Sequence, residues 1–159
     1  MGLGQFVPSS FHRWAVDFDG NGRRDLWNSI DAIGSVANYF SSHGWRRGEP
    51  VAVRASVSDT GVGAMKTGFD TSYSGAALQR HGIVVPAGLD GRERVSLLKL
   101  DGIDGYEYWL GLKNFYVITR YNHSSYYAMA VHQLARALRS RRGSGRSVLA
   151  RARVSDWNP

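Results

Sequence analysis

The sequence predicts an α+β fold, mainly α, in which a small β-rich insert interrupts a set of helices. Three observations carry that expectation. Apolar residues recur at helical spacing near residues 30–40 and again near 127–138. Between them, from about 47 to 111, short Val-, Leu- and aromatic-rich runs read as strands. A loop dense in Asp, Asn and Gly precedes the first long helix. At 159 residues and 43% apolar content, the chain suffices for one domain with a core of its own.

The elements follow in order. Pro8-Ser9-Ser10 opens a short helix with Phe11, Trp14 and Ala15 at helical spacing. The loop Asp17-Phe-Asp-Gly-Asn-Gly-Arg-Arg-Asp25 comes next. Asn28 has the chemistry of an N-cap. After it, Ile30, Ile33, Ala37 and Phe40 fall on one helical face, and Gly44 ends the helix in a left-handed cap. Val51–Ser56, Val95–Leu100 and Tyr106–Leu110 are strands, the last two joined by the turn signal Asp101-Gly102, and Tyr73–His81 holds one short helix. Helical patterning resumes at Asn114–Tyr121. A last helix starts with Ser124 or Ser125 as cap and presents Tyr127, Val131, Leu134, Ala135 and Leu138 as its apolar face. The periodicity fails at Arg141-Arg-Gly-Ser-Gly145, which reads as a linker into a disordered tail, residues 140–159.

Composition removes several classes of function. With no cysteine there is no disulfide, thiol nucleophile or zinc–thiolate site. No apolar run approaches the roughly 18 residues of a membrane helix, and the first residues lack the pattern of an export signal. The net charge of +7 suggests an anionic partner, but its distribution argues otherwise. Arg136, Arg139, Arg141, Arg142, Arg146, Arg151 and Arg153 face only Asp156, so the excess sits in the tail and the remainder is near neutral. Nucleic acid is therefore not the expected partner.

Asp17-x-Asp19-x-Asn21-Gly22 has the spacing that opens an EF-hand calcium loop. Oxygen side chains at positions 1, 3 and 5 converge because glycine at position 6 permits the sharp turn. Arg23 at position 7 offers its carbonyl, and Asp25 holds position 9. Position 12 breaks the pattern: a bidentate Glu is required and Asn28 stands there, with the next carboxylate at Asp31. Asp17, Asp19 and Asp31 together suit a hard divalent ion. Magnesium, which keeps its water, fits less well than calcium. Alternatively, Asn28 and Asp31 form a capping pair and the glycines make a polar turn.

Several strings resemble the membrane-bound lytic murein transglycosylase B family. They are Gly4-Gln-Phe-Val-Pro-Ser-Ser10, Ala15-Val-Asp-Phe-Asp-Gly-Asn-Gly22, Leu26-Trp27, Asp31-Ala-Ile-Gly-Ser-Val-Ala-Asn-Tyr-Phe40 and His43-Gly-Trp45. Later come Gly111-Leu112, Asn114-Phe-Tyr116, Ile118-Thr-Arg-Tyr-Asn-His-Ser124 and Tyr127-Ala-Met-Ala-Val131. They run in the family's order from Gly4 to about Leu138, and the tail lies outside them. The resemblance implies part of a lysozyme-like transglycosylase core at residues 1–46 with an EF-hand-like calcium loop. It also implies a β-rich insert at 47–111 and closing core helices at 112–139. It implies calcium ligands Asp17, Asp19, Asn21, the Arg23 carbonyl and Asp31, the family's loop being longer than a standard EF-hand.

The implied activity is non-hydrolytic cleavage of peptidoglycan glycan strands. One carboxylic acid protonates the oxygen between N-acetylmuramic acid and N-acetylglucosamine. The substrate's acetamido group meets the developing charge, and the muramic acid C6 hydroxyl closes a 1,6-anhydro ring. This departs from the two-carboxylate pattern of most glycosidases. The family implies Gln5, Tyr39, Tyr121, Asn122 and Tyr127 as groove residues. Their amides and phenols suit hydroxyl and acetamido groups, and their rings suit the C–H faces of sugars. On helical spacing alone, Tyr39 and Tyr127 read equally as core residues and Asn122 as a helix cap. His123 receives no catalytic role.

The family's acid is a Glu followed by Ser, well before the Gly-Gln-Phe string, and no such pair occurs here. The three glutamates, Glu49, Glu93 and Glu107, stand in other contexts. The expectation is a C-terminal part of an exported, periplasmic or outer-membrane-associated enzyme. Alone it is expected to be inactive or nearly so, with apolar helix faces lacking partners from a missing N-terminal half. The alternative is a non-catalytic, calcium-dependent glycan-binding module.

Overall fold

A computed structural model describes the backbone of residues 1–58, 60–89 and 93–155, and the side chains of those residues through 142 except Thr60. Asp156, and the side chains of Arg146, Arg151 and Arg153, lie outside what is described.

Helix α1 (Pro8–Trp14) starts with proline in its first turn, where a missing N–H costs nothing. Helix α2 (Ser29–Ser42) is capped by Asn28, whose side chain accepts from the Ile30 N–H at 2.9 Å. Gly44, at φ 87°, provides the left-handed exit after the His43 cap. Both ends agree with the sequence reading.

The middle of the chain holds β1 (Ala52–Arg54), β2 (Ser56–Val57), a 3₁₀ turn at Thr60–Ala64, α3 (Gly75–Arg80), β3 (Ile83–Val84), β4 (Ser96–Gly102) and β5 (Gly105–Gly111). Antiparallel β1, β5 and β4 form one sheet in that order, and β2–β3 is a separate ribbon. The β4–β5 turn lies later than the sequence suggests. Asp101 and Gly102 still belong to the ladder, Gly102 pairs with Gly105, and Ile103-Asp104 form the loop. Gly102 is required there, because a Cβ would meet the Gly105 carbonyl oxygen at 2.9 Å.

The three-stranded sheet is covered on both faces, as the period-2 alternation of its side chains requires. Leu98, Leu100 and Trp109 pack with Phe115, Ile118 and Met129 from the last two helices. Leu97 and Leu110 turn the other way, onto Leu78 of α3 and Ile83 of β3. Those last helices are α4 (Lys113–Tyr121) and α5 (Ser125–Ser155). Helix α5 continues through Arg141–Gly145, where the pattern reads as a linker; two glycines cost a helix only about 1 kcal/mol each. A third cluster, Phe6, Ala15, Leu26 and Tyr39, joins the N-terminal segment, α1 and α2.

Two helix faces differ from the expected ones. In α2, Ile33 is 68% exposed and Ile30 50%, while Asp31, Ala32, Ser35 and Tyr39 are buried. Polar demand sets this rotation. Asp31 takes loop N–H groups, Ser35 Oγ accepts from the Val16 N–H at 3.0 Å, and Asn38 Nδ2 donates to the Trp14 carbonyl. In α5, Ala128, Met129 and His132 are buried, with Val131 half-buried, while Tyr127, Leu134, Ala135 and Leu138 are exposed. The predicted apolar faces exist, but little in the described residues covers them.

Candidate functional site

The Asp17–Asp25 loop folds on its own carboxylates. Asp17 Oδ1 accepts from the Gly20 and Asn21 N–H groups at 2.8 and 3.1 Å, and Oδ2 accepts from Gly22 at 2.7 Å. Gly20 and Gly22, at φ 76° and 85°, supply the left-handed residues this winding needs. Asp19 Oδ1 accepts from the Asn21 N–H, and Asn21 Oδ1 from the Arg23 N–H. Asp25 Oδ1 is taken by the Trp27 N–H. Asn28, in the twelfth position, donates its amide to Asp19 Oδ2 at 2.7 Å while capping α2.

Asp31 closes the loop from the first turn of α2. It is fully buried; Oδ1 accepts from Phe18 (2.8 Å) and Asp19 (3.3 Å), and Oδ2 from Asp25 (2.9 Å). It therefore does not pair with Asn28 as a capping box. The Asp25 N–H, with those of Phe18 and Asp19, holds its carboxyl below the usual range against the opposing effect of burial. Oxygen atoms of Asp17, Asp19 and Asp31 lie within 4.8 Å of one another. No basic side chain pairs with any of them among the described residues. Three carboxylates without a counter-cation make an oxygen-only donor set that fits a hard divalent ion. Asn21 and the Arg23 carbonyl belong to the same winding.

Gly34 makes this closure possible, and neither loop motif nor helix periodicity signals it. A Cβ there would sit 2.4 Å from Phe18 Cβ, so the bare backbone lets residue 18 approach α2 and bond to Asp31. A glycine inside a helical pattern is the only trace in the sequence.

The second group of residues surrounds Tyr39. Its ring meets Trp14 edge-on at 4.8 Å, stacks on His43 at 3.9 Å and meets Tyr121 edge-on at 5.2 Å. Its hydroxyl donates to the Arg120 carbonyl at 2.8 Å. The Tyr121 hydroxyl donates to the Gly4 carbonyl, tethering the N-terminal segment to α4. The next residue, exposed Gln5, is held at φ 52°, unusual for a side-chain-bearing residue.

Burial raises the Tyr39 pKa. Burial, then the neighbouring phenols of Tyr127 and Tyr39, pushes Tyr121 up to about 12. Both phenols thus stay protonated at ordinary pH. Tyr39 and Tyr121 are in contact, Tyr127 lies near enough to Tyr121 to raise its pKa, and Gln5 follows the tethered Gly4. Asn122 is the exposed cap of α4, and its N–H bonds to the Ile118 carbonyl. His43, whose ring supports Tyr39, was not anticipated.

The glutamates are all ion-paired. Glu49 lies 3.4 Å and Glu93 3.7 Å from Arg46 Nη1. Glu107 pairs with Arg54 at 3.0 Å and accepts from Trp109 Nε1.

An aromatic cluster beside an oxygen-lined loop, on helices packed against a small sheet, is consistent with a lysozyme-like transglycosylase fold. The family model described as "Transglycosylase SLT domain" matches residues 1–136, and the chain belongs to that family. The chain is 52% identical over 138 residues to membrane-bound lytic murein transglycosylase B of Escherichia coli (strain K12), covering 87% of this chain and 37% of that protein. The solved structure of Escherichia coli lytic transglycosylase SLT35 in complex with calcium superposes with a TM-score of 0.82 at 51% identity, covering 89% of this chain and 45% of that one. SltB3 from Pseudomonas aeruginosa, solved with NAG-NAM-pentapeptide, gives 0.74 at 36% identity, covering 87% and 38%. The chain thus spans less than half the length of these relatives. Among the described residues no helix is long and apolar enough to cross a membrane.

Proposed function

We propose that this chain forms the calcium-holding part of a peptidoglycan lytic transglycosylase and one wall of its glycan groove. What supports the reading is the Tyr39–Tyr121 contact and the Tyr121 tether to Gly4, next to Gln5 at φ 52° and with Tyr127 close by. Gln5 and the cap residue Asn122 offer amides to acetamido groups. Tyr127, 37% exposed, offers a ring face to a sugar. Tyr39 is 8% exposed and acts chiefly by fixing Tyr121. A periplasmic location accompanies that substrate.

No Glu followed by Ser occurs in the sequence, so we assign the acid that protonates the glycosidic oxygen to a segment outside these 159 residues. The exposed apolar surface of Phe18, Trp27, Ile30 and Ile33 supports a covering segment. Peptide-free glycan strands are expected to bind the chain. Tyr127→Ala should weaken binding, and no 1,6-anhydro ends should form. Anhydro ends formed by the purified chain would refute the assignment of the acid. Undiminished binding by Tyr127→Ala would refute the groove.

The absence of a Glu-Ser pair also suits a second reading, a calcium-dependent glycan-binding module without catalysis. Restoring cleavage by adding the N-terminal portion of a relative would exclude it.

Calcium is proposed for Asp17, Asp19, Asn21, the Arg23 carbonyl and Asp31. At a hundredfold excess over Kd it should stabilise the fold by about 2.7 kcal/mol, reversibly with chelator. Asp19→Ala should abolish that gain. A calcium effect that survives the substitution would place the ion elsewhere.

A further inference from the structure

An open groove of about 950 Å³ runs between the segment leading into β1 and the exposed flank of α5. That is the upper end of the roughly 300–1,000 Å³ typical of small-ligand sites. Its floor is apolar and aromatic, with Trp45 stacked on Phe40 at 5.5 Å and Trp109 beside Val131. Its edges are cationic. Arg47 and Arg54 stand on the β1 side, and Arg136 and Arg139, three residues apart on α5, on the other. Arg54 is committed to Glu107. Glu49, the acid in the lining, is committed to Arg46. Among the described residues no carboxylate pairs with Arg47, Arg136 or Arg139.

His132 supplies an independent observation. It lines the groove with 9% of its surface exposed, edge-on to Trp109 at 6.5 Å, and its Nε2 has no hydrogen-bond partner. A buried polar nitrogen without a partner calls for one, and a ligand in the groove could supply it. Burial, and then Arg136, lowers its pKa, so the neutral ring can receive or donate one further hydrogen bond.

We infer that this groove binds the carboxylate-bearing peptide stems of peptidoglycan, with Arg47, Arg136 and Arg139 taking the carboxylates and Trp45 and Trp109 taking the aliphatic parts. The inference rests on the proposed peptidoglycan substrate. It adds a second recognition element, separate from the sugar-facing tyrosines. The ligand must be anionic at several points yet apolar between them. Short peptides with free carboxylates and methyl or methylene side chains meet both demands, whereas free phosphate meets only the first. Planar guanidinium groups suit carboxylates through paired N–H donors.

The test is a tryptophan-fluorescence titration of the whole 159-residue chain with a sugar-free stem tetrapeptide. Saturable binding that weakens with added salt is expected. Amidation of the peptide's carboxylates should weaken it about tenfold or more, and so should the double substitution Arg136→Gln and Arg139→Gln; both residues are exposed, so folding should be unaffected. Equal affinity for the amidated peptide, equal affinity of the double variant, or no saturable binding would overturn the inference. Displacement by inorganic phosphate at equal concentration would reduce the groove to an unselective anion site and overturn the peptide assignment. Peptide-free glycan strands keep the two readings apart. Their binding should depend on Tyr127 and not on Arg136 or Arg139. Loss of glycan binding with peptide binding intact would sink the glycan-groove reading alone.

Discussion

Replacing Asn114 tests how the sheet is held to the helices. Its side chain is fully buried in the first turn of α4 and clamps the connection between α2 and β1. Oδ1 accepts from the Arg46 N–H at 2.8 Å, and Nδ2 donates to the carbonyls of Arg46 at 2.8 Å and Glu49 at 3.0 Å. Each neutral hydrogen bond contributes about 1 kcal/mol net, and leaving its partner unsatisfied adds to the loss. Asn114→Ala removes three, so about 3–4 kcal/mol is expected, a large share of the roughly 5–15 kcal/mol of a typical domain. For a chain of this size that is a fall in Tm of roughly 6–15 °C. Urea and thermal melts followed by circular dichroism measure it. Asn114→Asp should fare little better, since it keeps the acceptor for Arg46 but turns a carboxylate onto two carbonyls. A cost below about 1 kcal/mol for the alanine variant, or native stability in the aspartate variant, would refute the clamp.

Other outcomes follow from the same geometry. Gly34→Ala should destabilise the protein despite improving helix propensity by about 1 kcal/mol, because Phe18 Cβ occupies the space; a raised Tm would contradict this. With its folded pKa near 12 against 10.0 ordinarily, Tyr121 holds its proton more tightly in the fold than in the unfolded chain. Its contribution is complete below pH 10 and is lost as pH rises from about 10 to 12. Tyr121→Phe should flatten alkaline unfolding over that window, and an unchanged curve would remove the residue from the account. Ile33→Glu should leave the unfolding free energy within about 0.5 kcal/mol of native while reducing binding of a hydrophobic dye, since the side chain faces outward. A large loss of stability would mean that Ile33 packs inward after all.

Local chemistry was legible in the sequence; long-range polar demand was not. Asn28 and Gly44 marked the ends of α2 because caps depend on a few adjacent atoms. The strand runs were found because alternation and β-branched content are local too. The rotation of α2 was missed because apolar spacing favours Ile30 and Ile33. What decides it is Asp31 answering N–H groups up to thirteen residues away, with Ser35 answering Val16. The β4–β5 turn was misplaced because Asp-Gly is a strong local signal, yet the register pairs Gly102 with Gly105. The proximity of Asp17, Asp19 and Asp31 followed from the loop spacing and the resemblance together. The Arg-edged groove was invisible, since Arg47 and Arg136 come to line one groove only through the fold.

The two faces of α2 bear on what the chain is for. One face packs inside these 159 residues through Ala32, Ser35 and Tyr39. The other carries Ile30 and Ile33, with Trp27 and Phe18 exposed in the preceding loop. A helix apolar on both sides is characteristic of a protein interior. Helix α5 repeats the pattern: Ala128, Met129 and His132 are buried, and Leu134 and Leu138 lie open along the flank that begins at Tyr127. Tyr127 belongs to the proposed groove, so an occupant of that flank would lie beside it. In the proposed function the acid would come from such an approach, because no Glu followed by Ser occurs in the sequence. On that proposal, one covering segment over the apolar surfaces of α2 and α5 would also answer the need for a proton donor.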